Sequence, residues 1–213
     1  MPLVKLTPRM VPAPLWGVAL RTDLGDRWLP EVSRPIRNHQ RVCEVCGGDG
    51  RDSPHGWRLC CDEVWDYSSA DAVFEEVLPL LAFGPSALPT VLPMIPDIAQ
   101  RVLQTSPLAR LIDLQAICWR CNAVIHYGLT EAQMDWPTRR IVMLHAERVN
   151  GVTTSTMLGE ILRAKVQWAV RSAIEGWAIT WDGWEAMRDR KAGRRPRRRL
   201  RTNGLDRAFN IGD

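Results

Sequence analysis

The stretch "AICWRCNAVIHYG" at residues 116–128 carries a Cys-x-x-Cys pair, and an equal pair stands in "CEVCGGDG" at residues 43–50. Four thiolates in two such pairs match the sulfur ligation of a tetrahedral structural Zn²⁺ ion, and buried free cysteines are the alternative. The 71 residues between the pairs exceed the usual spacing of zinc ribbons, so the intervening segment must loop out and return. We predict one zinc site with four ligands: Cys43, Cys46, Cys118 and Cys121.

The bulk composition is typical of a globular chain in a reducing compartment. The 213 residues are 46% hydrophobic and 24% charged, which is enough apolar material for a substantial core. No apolar stretch follows the charges of residues 1–10, so we expect no signal peptide. The most apolar stretch, residues 77–99, contains five prolines and is a poor membrane span. We predict a cytoplasmic protein without a membrane partner, in which six cysteines favour metal binding over disulfides.

The positive charge is concentrated near the end of the sequence. Residues 188–201, "RDRKAGRRPRRRLR", hold nine basic residues and one acid, while the rest of the chain has 19 Lys+Arg against 23 Asp+Glu. A dense arginine run attracts the phosphate groups of nucleic acids. The alternative interpretation of this run is a solvated, disordered tail. We predict nucleic-acid contacts from five arginines: Arg194, Arg195, Arg197, Arg198 and Arg199.

A strand is predicted between the two cysteine pairs. Residues 56–67, "GWRLCCDEVWDY", alternate with period two, which places Trp57, Leu59 and Cys61 on one face. We therefore interpret Cys61 as a buried strand residue. The less favoured alternative is that Cys61 takes the place of one of the four predicted cysteines as a zinc ligand.

Helices are predicted on both sides of the second cysteine pair. Residues 68–83 predict a short helix capped by Ser68 or Ser69. Residues 153–177 predict an amphipathic helix, because their apolar residues recur at helical spacing. With the strand, these helices indicate an α+β protein.

Directly after the second cysteine pair, "NAVIHYG" has helical spacing. Gly128 is predicted to end this helix, since glycine adopts the left-handed conformation of helix C-caps. Thr130 is predicted to cap the next helix.

The order of these motifs resembles one family. "CEVCGG", then "LCCDEVWDY", then "LQAICWRCNAVIHYG" is similar to the zinc-bearing HNH (ββα-metal) endonucleases, and residues 14–182 resemble one bacterial and phage group of them. The resemblance implies an α+β fold with a zinc-pinned ββα-metal core, an N-terminal arm and a C-terminal helical extension. The implied segments are an arm and lead-in helix at residues 1–42, a core at 43–128 with an insertion near 78–110, a helical extension at 129–185 and a basic tail at 186–213.

In that family a β-hairpin and the following helix hold one catalytic divalent cation, Mg²⁺ or Mn²⁺, against the scissile phosphate, while zinc pins the hairpin to the helix. The family's "CHExW" stretch corresponds to "CDEVW" here, so Asp62 stands at the position of the general-base histidine. Asn122 stands where the group commonly has histidine, and His126 stands at the helical metal-ligand position. The resemblance implies Asp62, Asn122 and His126 as catalytic residues, with Asp62 and His126 as ligands of the catalytic cation.

Two of these positions have alternative interpretations. A carboxylate is a weaker base than imidazole for water at neutral pH, so Asp62 fits the role of a metal ligand better than that of a base. Asn122 has the side chain of a helix N-cap and is equally well explained by capping the helix after the cysteine pair.

Three functions follow from these features. The first is a metal-dependent endonuclease that hydrolyses phosphodiester bonds of DNA, with RNA as a second candidate substrate. The alternative is a catalytically degenerate HNH-fold zinc protein, of phage origin by its resemblance, that acts as a nucleic-acid- or protein-binding module. The change to Asp62 favours this alternative, while Asn122 and His126 favour the enzyme. A purely structural zinc protein is disfavoured by the arginine run.

Overall fold

The computed structural model describes residues 6–15, 17, 19–54, 56, 58–81 and 84–194. These residues form a mixed α+β structure, as the sequence predicts. The α-helices in this part of the chain are α1 Leu20–Leu24, α2 Arg34–His39, α3 Asp71–Val77, α4 Leu88–Val91, α5 Ile95–Val102, α6 Trp119–Ile125, α7 Tyr127–Gln133, α8 Trp136–Asn150, α9 Thr154–Ser172 and α10 Trp184–Lys191. The strands are β1 Leu59–Asp66, β2 Leu108–Cys118 and β3 Ala178–Thr180, and they form one sheet in the order β1-β2-β3.

The chain divides into two compact units, and each unit is assembled from discontinuous segments. Of the described residues, the first unit contains those within 6–10, 26–62 and 114–165. The second unit contains those within 11–25, 63–113 and 166–194. Neither unit therefore coincides with one of the four contiguous segments that the family resemblance implies.

In the first unit, two side chains fix the segments around α6. Helix α6 packs against α8. The hydroxyl of Thr130, which is buried in α7, donates a hydrogen bond of 2.7 Å to the carbonyl of Ala123. The side chain of Asn150 accepts from the amide of Leu6 at 2.8 Å and donates to its carbonyl at 2.7 Å. These bonds hold the N-terminal segment and α7 in place.

The core of the second unit is formed by apolar residues of α3, α5 and the last turns of α9. Trp177 is only 2% exposed, and its ring meets that of Tyr67 edge to face, with the centroids 6.0 Å apart. Such edge-to-face pairs place a positive ring edge against a negative ring face. Strand β3 pairs with β2 in parallel, with residues 178–180 opposite 108–110.

The predicted strand is present as β1, but its predicted face is buried only in part, and Trp57 lies outside the described residues. Asp62 and Val64 are buried, whereas Cys61 is only half-buried. Leu59 is buried as expected. The prediction was wrong for Cys61 because hydrophobicity places the apolar thiol inside, while the contact of Asp62 described below turns the carboxylate inward.

The predicted helices are present, but three predicted caps are wrong. Helix α3 has Ala70 at its N-cap, and the hydroxyl of Ser69 instead bonds the backbone of Leu108. Gly128 lies inside α7, and Thr130 lies in the same helix rather than at its start. Asp135 does cap a helix, because its side chain accepts a hydrogen bond of 3.0 Å from the Thr138 amide at the start of α8.

Gly50, in the loop after the first cysteine pair, is expected to tolerate no side chain. Its φ is +65°, and an added Cβ would lie 2.0 Å from the carbonyl oxygen of Arg58. Gly151, at the end of α8, has the same φ of +65° but open space around the added atom. We expect Gly50→Ala to lower the free energy of unfolding by about 2–4 kcal/mol, and Gly151→Ala by about 1 kcal/mol, because only the first adds a backbone clash to left-handed strain.

Urea denaturation of the two variants beside the wild type measures this difference. Because the φ angles match, the matched pair separates the clash from the conformational strain. Equal losses of stability in the two variants would contradict the close approach of Gly50 to Arg58.

Candidate functional site

The four predicted cysteine ligands come together in the first unit. Their sulfur atoms all lie within 4.8 Å of one another, and the Sγ atoms of Cys46 and Cys118 are 3.7 Å apart. Cys43, Cys118 and Cys121 are buried. Thiolates at these separations suit a single tetrahedral ion, so the cluster can hold a metal ion.

Backbone bonds of the first cysteine pair explain how it forms a compact loop. The amide of Gly47 donates to the carbonyl of Cys43 at 2.9 Å, and the amide of Cys43 donates to the carbonyl of Gly48 at 2.7 Å. The amide of Gly48 also points at the Sγ of Cys46, 3.4 Å away. Gly47 has a φ of +72°, which closes this turn at little steric cost.

Two bonds then join this loop to β2. The amide of Glu44 donates to the carbonyl of Ala116 at 2.9 Å, and the amide of Ala116 donates to the carboxylate of Glu44 at 3.2 Å. Ala116 lies two residues before Cys118, where β2 ends and α6 begins. This reciprocal pair therefore brings together cysteines that are 72 residues apart in the chain.

Crowding of the four thiols separates their pKa values. Hydrogen bonds from the thiols of Cys118 and Cys121 lower the pKa of Cys43 to about 6, and the same donors lower the pKa of Cys46. The hydrogen bonds that Cys121 gives to the other three sulfurs raise its own pKa. A divalent cation binds cysteine as thiolate, so its binding here would displace the remaining thiol protons.

His145 also reaches this cluster, and sequence reasoning missed it. Its Nε2 lies 3.2 Å from the Sγ of Cys121. Val142, which lies one turn before it on the same face of α8, is fully buried. The apolar residue three positions before the histidine is the signal in the sequence that could have indicated an inward-facing ring. A ring N–H directed at a metal-bound sulfur stabilises the thiolate and orients it.

A carboxylate–imidazole pair forms a second polar feature of the first unit. The Oδ1 of Asp62, on β1, lies 3.0 Å from the Nε2 of His126, which ends α6. Asp62 is only 8% exposed, and its Oδ2 has no hydrogen-bond partner within the described ranges. The structure therefore brings together two of the three predicted catalytic residues, and it leaves one carboxylate oxygen for another ligand.

The local backbone explains the position of His126. Its amide donates to the carbonyl of Asn122 at 2.9 Å, which is the last hydrogen bond of α6. Its φ and ψ of −96° and 41° then turn the chain into α7. The imidazole consequently stands at the corner between two helices, in reach of β1.

Asn122 lies within α6 and is half-buried. The N-cap of this helix is Cys118, so the interpretation of Asn122 as a helix cap is wrong. Its side chain forms no hydrogen bond with any residue that the structure describes, so no hydrogen bond joins it to the Asp62–His126 pair.

The arginine run begins inside folded structure of the second unit. Helix α10 contains its first residues, and Lys191 pairs with Asp113 at 3.0 Å. Arg194 is exposed, and its amide donates to the carbonyl of Asp189 at 2.8 Å. The remaining predicted nucleic-acid contacts lie outside the described residues: Arg195, Arg197, Arg198 and Arg199.

Comparisons with known proteins give no relative. The chain matches no protein-family model, and neither the curated proteins nor the solved structures provide a match. Among the described helices, none combines the length and apolar character that a membrane span needs.

Proposed function

We propose that this protein is an HNH-like, metal-dependent endonuclease that hydrolyses phosphodiester bonds of nucleic acid, with DNA as the first candidate substrate. The observation that carries the proposal is the contact between Asp62 and His126, five residues after Cys121. These are the positions that the resemblance to HNH endonucleases implies for chemistry. A buried carboxylate that faces an imidazole is also a frequent arrangement at catalytic sites.

The Oδ2 atom of Asp62 is the feature that fits a catalytic cation. A buried carboxylate oxygen without a partner is costly unless a ligand or water satisfies it. Carboxylate oxygen is also the ligand type that Mg²⁺ and Mn²⁺ prefer. When bound there, such a cation neutralises charge on the phosphate and on its leaving oxygen.

His126 is proposed as the group that accepts a proton from the attacking water. An imidazole is suited to this transfer near neutral pH. If Nε2 carries the proton, it donates to Asp62 Oδ1, and this bond fixes the ring and makes Nδ1 its basic nitrogen. This assignment differs from the metal-ligand role implied by the resemblance, because the Nε2 atom already faces a carboxylate.

We also propose that the four-cysteine cluster binds structural Zn²⁺. Four sulfur ligands leave no position for water or substrate, which is the pattern of structural rather than catalytic zinc sites. The ion would join the loop around Cys43 to the start of α6, and α6 carries Asn122 and leads to His126. The zinc site would therefore position the proposed catalytic residues without taking part in the chemistry.

Nicking of supercoiled plasmid by the zinc-loaded protein tests the proposed function. We expect cleavage with Mg²⁺ or Mn²⁺, and we expect His126→Ala to lower its rate by about 10²–10⁴-fold, since it removes the proton acceptor. The matched control is His39→Ala, which removes an exposed histidine of the same unit and should cleave like the wild type.

Two results would contradict the endonuclease. One is the absence of cleavage by folded, zinc-loaded protein, and the other is equal cleavage by the His126→Ala and wild-type proteins. With no cleavage, measured binding of DNA would instead favour the catalytically degenerate nucleic-acid-binding module.

A further inference from the structure

We propose that a cleft of the first unit, lined by four arginines, binds phosphate groups of the nucleic-acid backbone. The cleft has a volume of about 580 Å³. It is defined here as the arginine cleft, and its lining residues are Arg34, Arg37, Asn38, Gln40, Arg41, Arg58 and Leu59. The proposal rests on the proposed function for the choice of a nucleic-acid ligand, but it concerns binding and not the chemical step.

Three of the four arginines in the arginine cleft are not paired with an acidic residue of the described chain. No acidic residue lines it. Within the described part of the chain, Arg34, Arg41 and Arg58 form no ion pair, whereas Arg27 and Arg51 of the same unit do. Like charges that converge on one cavity repel each other, so an anion in the cavity lowers the free energy of the protein.

The scaffold holds these side chains in a defined arrangement. Arg34 and Arg37 lie one turn apart on α2, whose Ile36 is fully buried. Arg58 directly precedes the buried Leu59 at the start of β1. The backbone of Arg58 also rests against Gly50, as described above. Two separate elements thus direct arginines into the same space.

The residue types favour phosphate over other anions. A guanidinium group offers a planar fork of N–H donors that matches two phosphate oxygens. Asn38 and Gln40, which also line the cleft, are neutral residues that carry side-chain amide donors. Donors of this kind position a nucleic-acid backbone without reading its sequence.

The position of the arginine cleft along β1 favours a polymer over a small phosphate compound. Leu59 lines the cleft, and Asp62 of the proposed catalytic pair lies three residues further along the same strand. At about 3.3 Å per residue, this is about 10 Å, or roughly three nucleotide steps of one strand. We infer that a polymer bound in the cleft runs along β1 toward the Asp62–His126 pair, which a small phosphate compound of the same charge would not reach.

Binding of fluorescent DNA to the full-length protein tests the inference. The proposed variant is Arg34→Gln with Arg58→Gln, and the matched control is Arg148→Gln with Arg163→Gln, which removes two exposed arginines of the same unit that form no ion pair with described residues. Duplex and single-stranded oligonucleotides are titrated over a range of salt concentrations, without Mg²⁺ or Mn²⁺ and without a chelator, so that DNA stays intact and the cysteine site keeps its metal.

We expect the cleft variant to bind DNA about tenfold more weakly than the control at low salt. We also expect the slope of log affinity against log salt to fall by up to about two for duplex DNA, because each lost phosphate contact removes about 0.9 from it. Equal affinities and slopes for the cleft variant and the control would overturn the inference. Circular dichroism and metal content must match between the two variants.

Two further comparisons are needed. The first distinguishes a polymeric from a small phosphate ligand, and the second distinguishes failure of this inference from failure of the proposed function. If the cleft variant loses binding of pyrophosphate or ATP but binds oligonucleotides like the control, the polymer part of the inference is overturned. The comparison of DNA affinity between the cleft variant and its control requires no cleavage, so it can be made even if plasmid nicking fails in every form of the protein. Failure of cleavage and failure of the cleft therefore give different results.

Discussion

Cys121→Ser is expected to abolish cooperative folding of the first unit and to lower its bound zinc well below one equivalent. Cys121 is fully buried, and its sulfur lies within 4.8 Å of the other three sulfurs of the cluster. Structural zinc sites contribute about 10–16 kcal/mol in small zinc-dependent domains, which exceeds the marginal stability of most proteins. A serine hydroxyl cannot replace a thiolate as a ligand for a soft cation.

The measurement combines zinc content by mass spectrometry with thermal unfolding followed by circular dichroism. Cys60→Ser is the matched control, because Cys60 lies on β1 and is half-buried but is not part of the cluster. The control should keep one zinc per chain and a wild-type transition. If Cys121→Ser binds one zinc and melts like the control, the cysteine cluster does not stabilise the fold through a metal.

Asp62→Asn is expected to lower plasmid nicking by about 10²-fold or more at saturating Mn²⁺. It is also expected to raise the Mn²⁺ concentration for half-maximal rate by about tenfold or more. The asparagine side chain has an NH₂ group in place of one carboxylate oxygen and carries no charge, so the site attracts the cation less strongly. It also presents an N–H group in the place of one carboxylate oxygen, which disturbs the 3.0 Å contact with His126.

Comparison with His126→Ala separates the roles of the two residues. A proton acceptor affects the maximal rate and leaves the Mn²⁺ requirement unchanged, whereas a metal ligand changes the Mn²⁺ requirement. We expect Asp62→Asn to change both quantities and His126→Ala to change the maximal rate alone. A wild-type Mn²⁺ requirement in Asp62→Asn would contradict the assignment of Oδ2 to the cation, and Asp97→Asn, a carboxylate of α5, serves as the unaffected control.

The local elements of this protein could be predicted from the sequence because they depend on short-range patterns. The amphipathic helix within 153–177 is present as α9, and the strand within 56–67 is present as β1. The two Cys-x-x-Cys pairs indicated a shared metal site, and the four sulfurs do converge. In each case the spacing of residues along the chain carries the information.

The helix caps and the buried strand face could not be predicted, because long-range contacts decide them. Ser69 bonds Leu108, 39 residues away, and is therefore not available to cap α3. Thr130 bonds the carbonyl of Ala123 from inside a helix. Capping preference is worth only about 1 kcal/mol, so a single tertiary hydrogen bond is enough to override it.

The sequence by itself determined which four cysteines cluster at a possible metal site, the main helix and strand, and the α+β class, since residue type and spacing suffice for these. Only the tertiary structure decided which residues meet across long stretches of chain. It placed Asp62 against His126 across 64 residues, His145 against Cys121, and Arg58 beside the arginines of α2. The physical reason is that a pattern along one segment fixes a face of that segment, whereas the partner of that face depends on how all segments pack together.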